Sequence, residues 1–147
     1  MDMIEKLRKW LATWSEWNRV TRTRTDGLGN KGCEVSIRPC GVSELQRKVT
    51  IVGGCAVRVR YSFWLDAQFY KSSGDEQGAE ENAAWLLNLQ QWINAESAKG
   101  KAPRFGTGEE KEVIRAENGA IQTVSREGLA IYRMALTIEC DEKYEEE

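Results

Sequence analysis

The 147-residue chain contains no histidine. That absence excludes Ser-His-Asp and Cys-His catalysis, imidazole proton transfer near neutral pH and imidazole metal ligation together. Proline occurs only twice, at Pro39, which is expected to stop a strand, and at Pro103, which follows the end of a helix. None of the four cysteines, Cys33, Cys40, Cys55 and Cys140, belongs to a C-x-x-C pair, and neither a zinc site nor a redox motif is indicated. Buried, reduced thiols are the expectation, because free cysteine packs as a small apolar side chain. No apolar run approaches the roughly 20 residues of a spanning helix. The opening MDMIEKLRKWL mixes charge with apolar residues, unlike a secretory signal, so a cytoplasmic, globular chain is expected. A net charge of −2 supplies no overall field to gather nucleic acid or anionic membrane.

What the sequence has is alternation. CAVRVRYSFWLDAQFY sets Cys55, Val57, Val59, Tyr61, Phe63, Leu65, Ala67 and Phe69 on one side of a long strand, and a mixed set holding Arg58, Arg60, Trp64, Asp66 and Tyr70 on the other. Cys33 to Arg38 alternates as a short strand that Pro39 stops, and the chain becomes extended again from Val49, where Gly53-Gly54 marks either a joint in one long strand or the break between a hairpin partner and the long strand. Glu112 to Glu117 and Ile121 to Ser125 flank Asn118-Gly119, a hairpin signal, and Leu129 to Cys140 forms a last strand. Two segments carry helical spacing: Asp2 to Trp17, with Ile4, Leu7, Leu11 and Trp14 in a stripe, and a second that Gly100 and Pro103 end after Ala98. In that second segment Ala79, Ala83, Leu86, Leu87 and Ile93 share an arc, with Trp85, Leu89 and Trp92 to one side. Thr21 to Gly32 reads as a loop or a fraying hairpin, mobile when isolated, Ser72 to Gly78 as a turn, and residues 141–147 as a solvated acidic tail. The order predicts one α+β domain over 1–147, a mainly antiparallel or mixed sheet with two main helices packed on one side.

The glycine-rich LGNKG and FGTGEE lack the spacing of a phosphate-binding loop. The acidic runs around Glu109 to Glu117 and at Asp141-Glu142 lack EF-hand spacing and read as solvated faces. No catalytic residue, metal or cofactor is expected, and no nucleophile paired with a base can be named. Arginine and aromatic side chains are what the centres of protein interfaces favour, which makes Arg58, Arg60, Trp64, Tyr70, Trp17 and Trp92 the expected subunit contacts. Reversing Arg58 and Arg60 to glutamate is expected to weaken assembly and leave the fold intact. A less favoured reading is a nucleic-acid-binding module using Arg22, Arg24, Lys31, Arg58 and Arg60.

MIEKLRKWL, VRVRYSFWLDAQFY, NAAWLLNLQQWINAESAKGKAPRFGTGEE and AIYRMALTIECDEKY, taken together, resemble a family of small proteins of Gram-positive prophages and phage-tail-like particles: the tail terminators, sometimes labelled minor capsid proteins. The resemblance implies a structural subunit that forms a homo-oligomeric ring, a hexamer in that family, on the end of the tail tube. Such a ring ends tube polymerisation. Its partners would be further copies of itself, the tube protein and, in a contractile tail, the sheath or neck. It would assemble in the host cytoplasm and remain in the virion or bacteriocin-like particle. A head-tail connector role is the neighbouring alternative. Neither membrane binding nor direct nucleic-acid recognition is implied.

Overall fold

The structure is a computed structural model that describes residues 2–20, 22–24, 34–49, 51, 53–70, 76–108, 110–126 and 129–144. The loop expected over Thr21 to Gly32 falls outside them except at residues 22–24, as do most of the turn before the second helix, Cys33, and the end of the acidic tail.

The centre of the fold is β3 (Cys55–Tyr70), paired antiparallel along its whole length with β5 (Leu129–Tyr144) on one side and with β2 (Glu34–Val49) on the other. Short β1 (Arg22–Arg24) runs parallel to the start of β2, and β4 (Val113–Arg126) closes the far side, giving the order β1-β2-β3-β5-β4. The α+β expectation holds. At 16 residues and a rise of about 3.3 Å per residue, β3 reaches about 50 Å. It is long because it runs through the core and then out of it.

One face of this sheet carries the core, with Leu65, Ala67, Phe69, Met134, Leu136 and Ile138 buried on it. Helix α2 (Glu76–Ala98) packs mainly over β4. It buries Asn82, Trp85, Leu86, Leu89, Ile93 and Ser97, a spacing that keeps one stripe facing inward. Leu87, expected on that stripe, is 46% exposed on the solvent side. Gly100, at φ +71, ends the helix in the left-handed conformation that glycine adopts without steric cost, and the N–H of Lys101 turns back to donate to the carbonyl of Glu96 at 2.8 Å.

The first helix is shorter than its periodicity suggests. α1 covers Met3–Leu11, capped by Asp2, whose Oδ1 accepts the N–H of Glu5 at 2.8 Å. It stops because the Thr13 hydroxyl donates to the Trp10 carbonyl at 2.6 Å and Trp14 turns extended, after which a 3-10 turn spans Ser15–Arg19. Trp10, Trp14 and Trp17, spaced by four and three, stay buried on one side across the change from α-helix to 3-10 turn.

Three other expectations are corrected. Pro39 does not end β2; the strand passes through it with a register shift and continues to Val49. Among the described residues no strand pairs with the outer side of β2 beyond Ser36, so Pro39 lies on a sheet edge, where a strand tolerates proline. Asn118-Gly119 is no hairpin turn: β4 runs across it as an irregularity, with Asn118 at φ 58 and the N–H of Gly119 taken by Gln90. The hairpin joins Arg126 to Leu129 instead. Finally, Asp141 to Tyr144 are the last residues of β5 rather than a solvated tail, because β3 extends far enough to pair with them.

The loop before β4 closes over the end of β5. A side chain at Gly106 would place its Cβ 2.4 Å from the Asp141 carbonyl oxygen, too close for any other residue. Beneath it lies Cys140, free and completely buried, whose thiol is pushed from 9.0 up to about 12, first by burial and then by the nearby Glu112 and Glu142. Cys40, at the β2 bulge, is free and exposed, contrary to the expectation of buried thiols. In native protein a thiol-specific reagent is therefore expected to modify Cys40 promptly and Cys140 only on unfolding, as site-resolved mass spectrometry would show. The protonated Cys140 thiol contributes stability that is complete below pH 9 and lost as the pH rises toward about 12.

Candidate assembly surface

The outer face of the sheet, opposite the helices, is built from cross-strand pairs of opposite charge. Arg58 stands opposite Asp141, Arg60 opposite Glu139 and Asp66 opposite Arg133. Alternation alone brings these side chains to one face, and the register then sets each cation against a carboxylate. Arg58 Nη1 lies 3.1 Å from Asp141, and Glu139 takes Arg60 at 3.7 Å and Arg115 of β4 at 2.6 Å. Asp66, only 3% exposed, accepts from Arg38 at 2.9 Å and from Arg133 at 2.8 and 3.2 Å. The Arg133 guanidinium stacks over the Trp64 ring at 4.9 Å, a contact the indole face favours.

The expected contact residues therefore divide. Arg58, Arg60 and Trp64 do share the outer face, with their charges matched inside one copy. The side chain of Tyr70 lies outside the described residues. Trp17 and Trp92 are elsewhere: Trp17 is buried and packs on Trp85, while Trp92 stacks on Trp10 with ring centroids 5.0 Å apart. Both pack between the first helix and α2, so the chain itself covers these two expected contact residues. An indole chain of Trp10, Trp92, Trp14, Trp85 and Trp17 achieves this. Counting tryptophans could not reveal it, because the two helices meet only in three dimensions.

Apolar surface is left over at a place the sequence did not flag. From Arg38 to Val49 every residue of β2 is exposed. Val42 is 64% and Val49 78% exposed, with Leu45 and Ile51 also in solvent. This end of the β2–β3 hairpin lies beyond the reach of α2, and large apolar side chains clustered in solvent mark surfaces that another molecule covers. The signal for it was the continuation of the extended pattern through Pro39.

A groove of about 290 Å³ runs along the outer face between Gln46, Lys48, Ala56, Arg58, Glu110, Lys111 and Asp141. Its cations and carboxylates interleave, and it contains no nucleophile with a base. Among the described residues no group of three or more side chains could hold a metal ion, and no helix is long and apolar enough to cross a membrane. The pairing of Arg58 and Arg60 with carboxylates leaves little positive potential there to hold a phosphate backbone. The side chains of Arg22 and Arg24, and all of Lys31, lie outside the described residues.

The same pairing changes what charge reversal does. Arg58→Glu would set two carboxylates opposite each other on adjacent strands, so it is expected to destabilise the fold by about 1–2 kcal/mol rather than leave it intact. Chemical denaturation would measure this, and Arg58→Glu combined with Asp141→Arg is expected to recover most of the loss. No protein-family model matches the chain, and no curated protein matches it.

Proposed function

We propose that this protein is a structural assembly subunit, one copy of a ring that caps a phage tail tube and ends its polymerisation. One observation carries the assembly part of this reading: the outer end of the β2–β3 hairpin keeps Val42, Leu45, Val49 and Ile51 in solvent, uncovered by the chain's own core. The choice of a tail terminator rests on the resemblance in element order and local wording between this sequence and that family. A cyclic ring joins two different patches head to tail. The exposed hairpin end supplies one patch, and the charge-paired outer face supplies a rigid second. In this reading the work is done by complementary surface.

Electron microscopy of the purified protein, alone and mixed with tail tubes, tests the reading. Rings, or tubes whose ends carry an added annulus, are the expected result. Binding to portal vertices instead of tube ends would move the role to the head-tail connector. A protein that forms no ring and leaves the tubes unchanged would overturn the proposal.

A further inference from the structure

The two edges of the sheet differ in chemistry. Along β4, polar side chains of α2 occupy the outward backbone groups. Asn94 donates to the Ala116 carbonyl at 3.0 Å and accepts the N–H of the same residue at 2.9 Å. Ser97 Oγ accepts the Ile114 N–H at 3.0 Å, and Gln90 Oε1 accepts that of Gly119 at 2.7 Å. From Ile114 to Gly119 this edge is closed to a further strand. Along β2, β1 pairs only with Glu34 to Ser36, and among the described residues nothing pairs with the outer side from Arg38 to Val49. Pro39 and the bulge beside it bound the open stretch at one end. What remains is VSELQRKV, Val42 to Val49. Unpaired backbone on a strand edge is a template for an added strand.

That stretch is complementary to its own reverse. Val42, Glu44, Arg47 and Val49 stand opposite Tyr61, Val59, Val57 and Cys55, so all four lie on one face of the sheet. The bulge between Glu44 and Gln46 absorbs the extra residue that would otherwise turn Arg47 and Val49 to the other side. From these placements we infer that a second copy of this chain adds its β2 to this edge, antiparallel, about a twofold axis at the bulged Leu45-Gln46 pair. In that register Val42 of one copy lies against Val49 of the other, Ser43 against Lys48 and Glu44 against Arg47, each contact occurring twice. The present Glu44–Arg47 ion pair within one copy, at 2.5 Å, shows the two groups are within reach of the same space. A second β2 is the occupant because, among the described residues, the other long edge, β4, is capped by α2 from Ile114 to Gly119. This pairing is isologous and occupies the hairpin end that the ring reading uses head to tail, so the two are alternative uses of one surface.

Cross-linking tests it. In a background with Cys33, Cys40 and Cys55 changed to serine, Val42→Cys and Val49→Cys are made separately. Directly opposed strand residues have Cα atoms about 4.5–5.5 Å apart, within disulfide range. Mild oxidation of the mixed variants is expected to yield a covalent dimer, while neither variant alone does. Glu44→Arg is expected to raise the dissociation constant about tenfold, and adding Arg47→Glu to restore it. These positions are exposed, so circular dichroism should be unchanged in every variant. Absence of the mixed cross-link, or equal cross-linking of each variant with itself, overturns the inference. Rings that form without the cross-link overturn it while leaving the ring proposal standing, and cross-linked dimers that never close on a tube do the reverse.

Discussion

Replacing Trp85 with alanine is expected to lower the unfolding free energy by about 3–5 kcal/mol, the range for emptying a large aromatic site in a packed core. Trp85 is buried where the first helix, the 3-10 turn and α2 meet the sheet. Its ring lies 5.3 Å from that of Trp14, 5.9 Å from that of Trp17 and 5.5 Å from that of Phe69, the last in an edge-to-face arrangement at 78°. Its Nε1 donates to the Glu16 carbonyl at 3.0 Å, fastening the 3-10 turn to α2. Alanine would remove the packing and strand that carbonyl, so the turn should detach as well. Trp85→Phe keeps an aromatic ring and loses the hydrogen bond, and a smaller cost of about 1–2 kcal/mol is expected. Urea denaturation followed by far-UV circular dichroism would separate the two. If alanine and phenylalanine cost the same, the ring packing described here is not what holds the two helices together.

Asp66→Asn is expected to cost about 2–3 kcal/mol, the worth of charge-assisted hydrogen bonds at a buried carboxylate. Asp66 neutralises both Arg38 and Arg133, and its hydrogen bond is the chief reason the Arg133 guanidinium holds its proton more tightly than usual. Asparagine preserves the shape and leaves two guanidinium groups on one face without their counter-charge. Both arginine side chains are partly exposed, at 44% and 33%, and water relieves part of that penalty, which keeps the figure below the loss of a fully buried pair. Because Arg133 also covers Trp64, a change in tryptophan emission should accompany the loss. Adding Arg133→Met is expected to recover part of the stability. No recovery would mean that the two residues do not act as a pair.

Much of the architecture was legible because it is local. The alternation of Cys55 to Tyr70 and of Leu129 to Cys140 gave two central strands and named the residues that face the core. The end of α2 was readable from Gly100 and Pro103. What could not be read depends on neighbours distant in sequence. Pro39 stops a strand only where its N–H is needed, and whether β2 has a partner on that side is a property of the whole sheet. Asn118-Gly119 turns a chain only if nothing else claims its backbone, and Gln90 of α2 claims it. Trp17 and Trp92 were expected at subunit contacts because the stacking that packs them inside the chain joins segments far apart in sequence. Arg58 and Arg60 were correctly placed on the wetter face, while their partners Asp141 and Glu139 were hidden inside what looked like a tail or a separate strand. The self-complementary Val42 to Val49 lay beyond a proline that seemed to close the element, so its pattern had no strand to belong to.

Common to the structural role and to the paired edge is one claim: a single folded copy leaves the β2 end of its sheet uncovered, and further copies cover it. Sedimentation velocity of the intact protein from micromolar to millimolar concentration tests this most directly. The account predicts a boundary that shifts with concentration toward dimers and larger closed assemblies, and a shift that Glu44→Arg suppresses. A single monomeric boundary across the whole range, unchanged by that substitution, would contradict it.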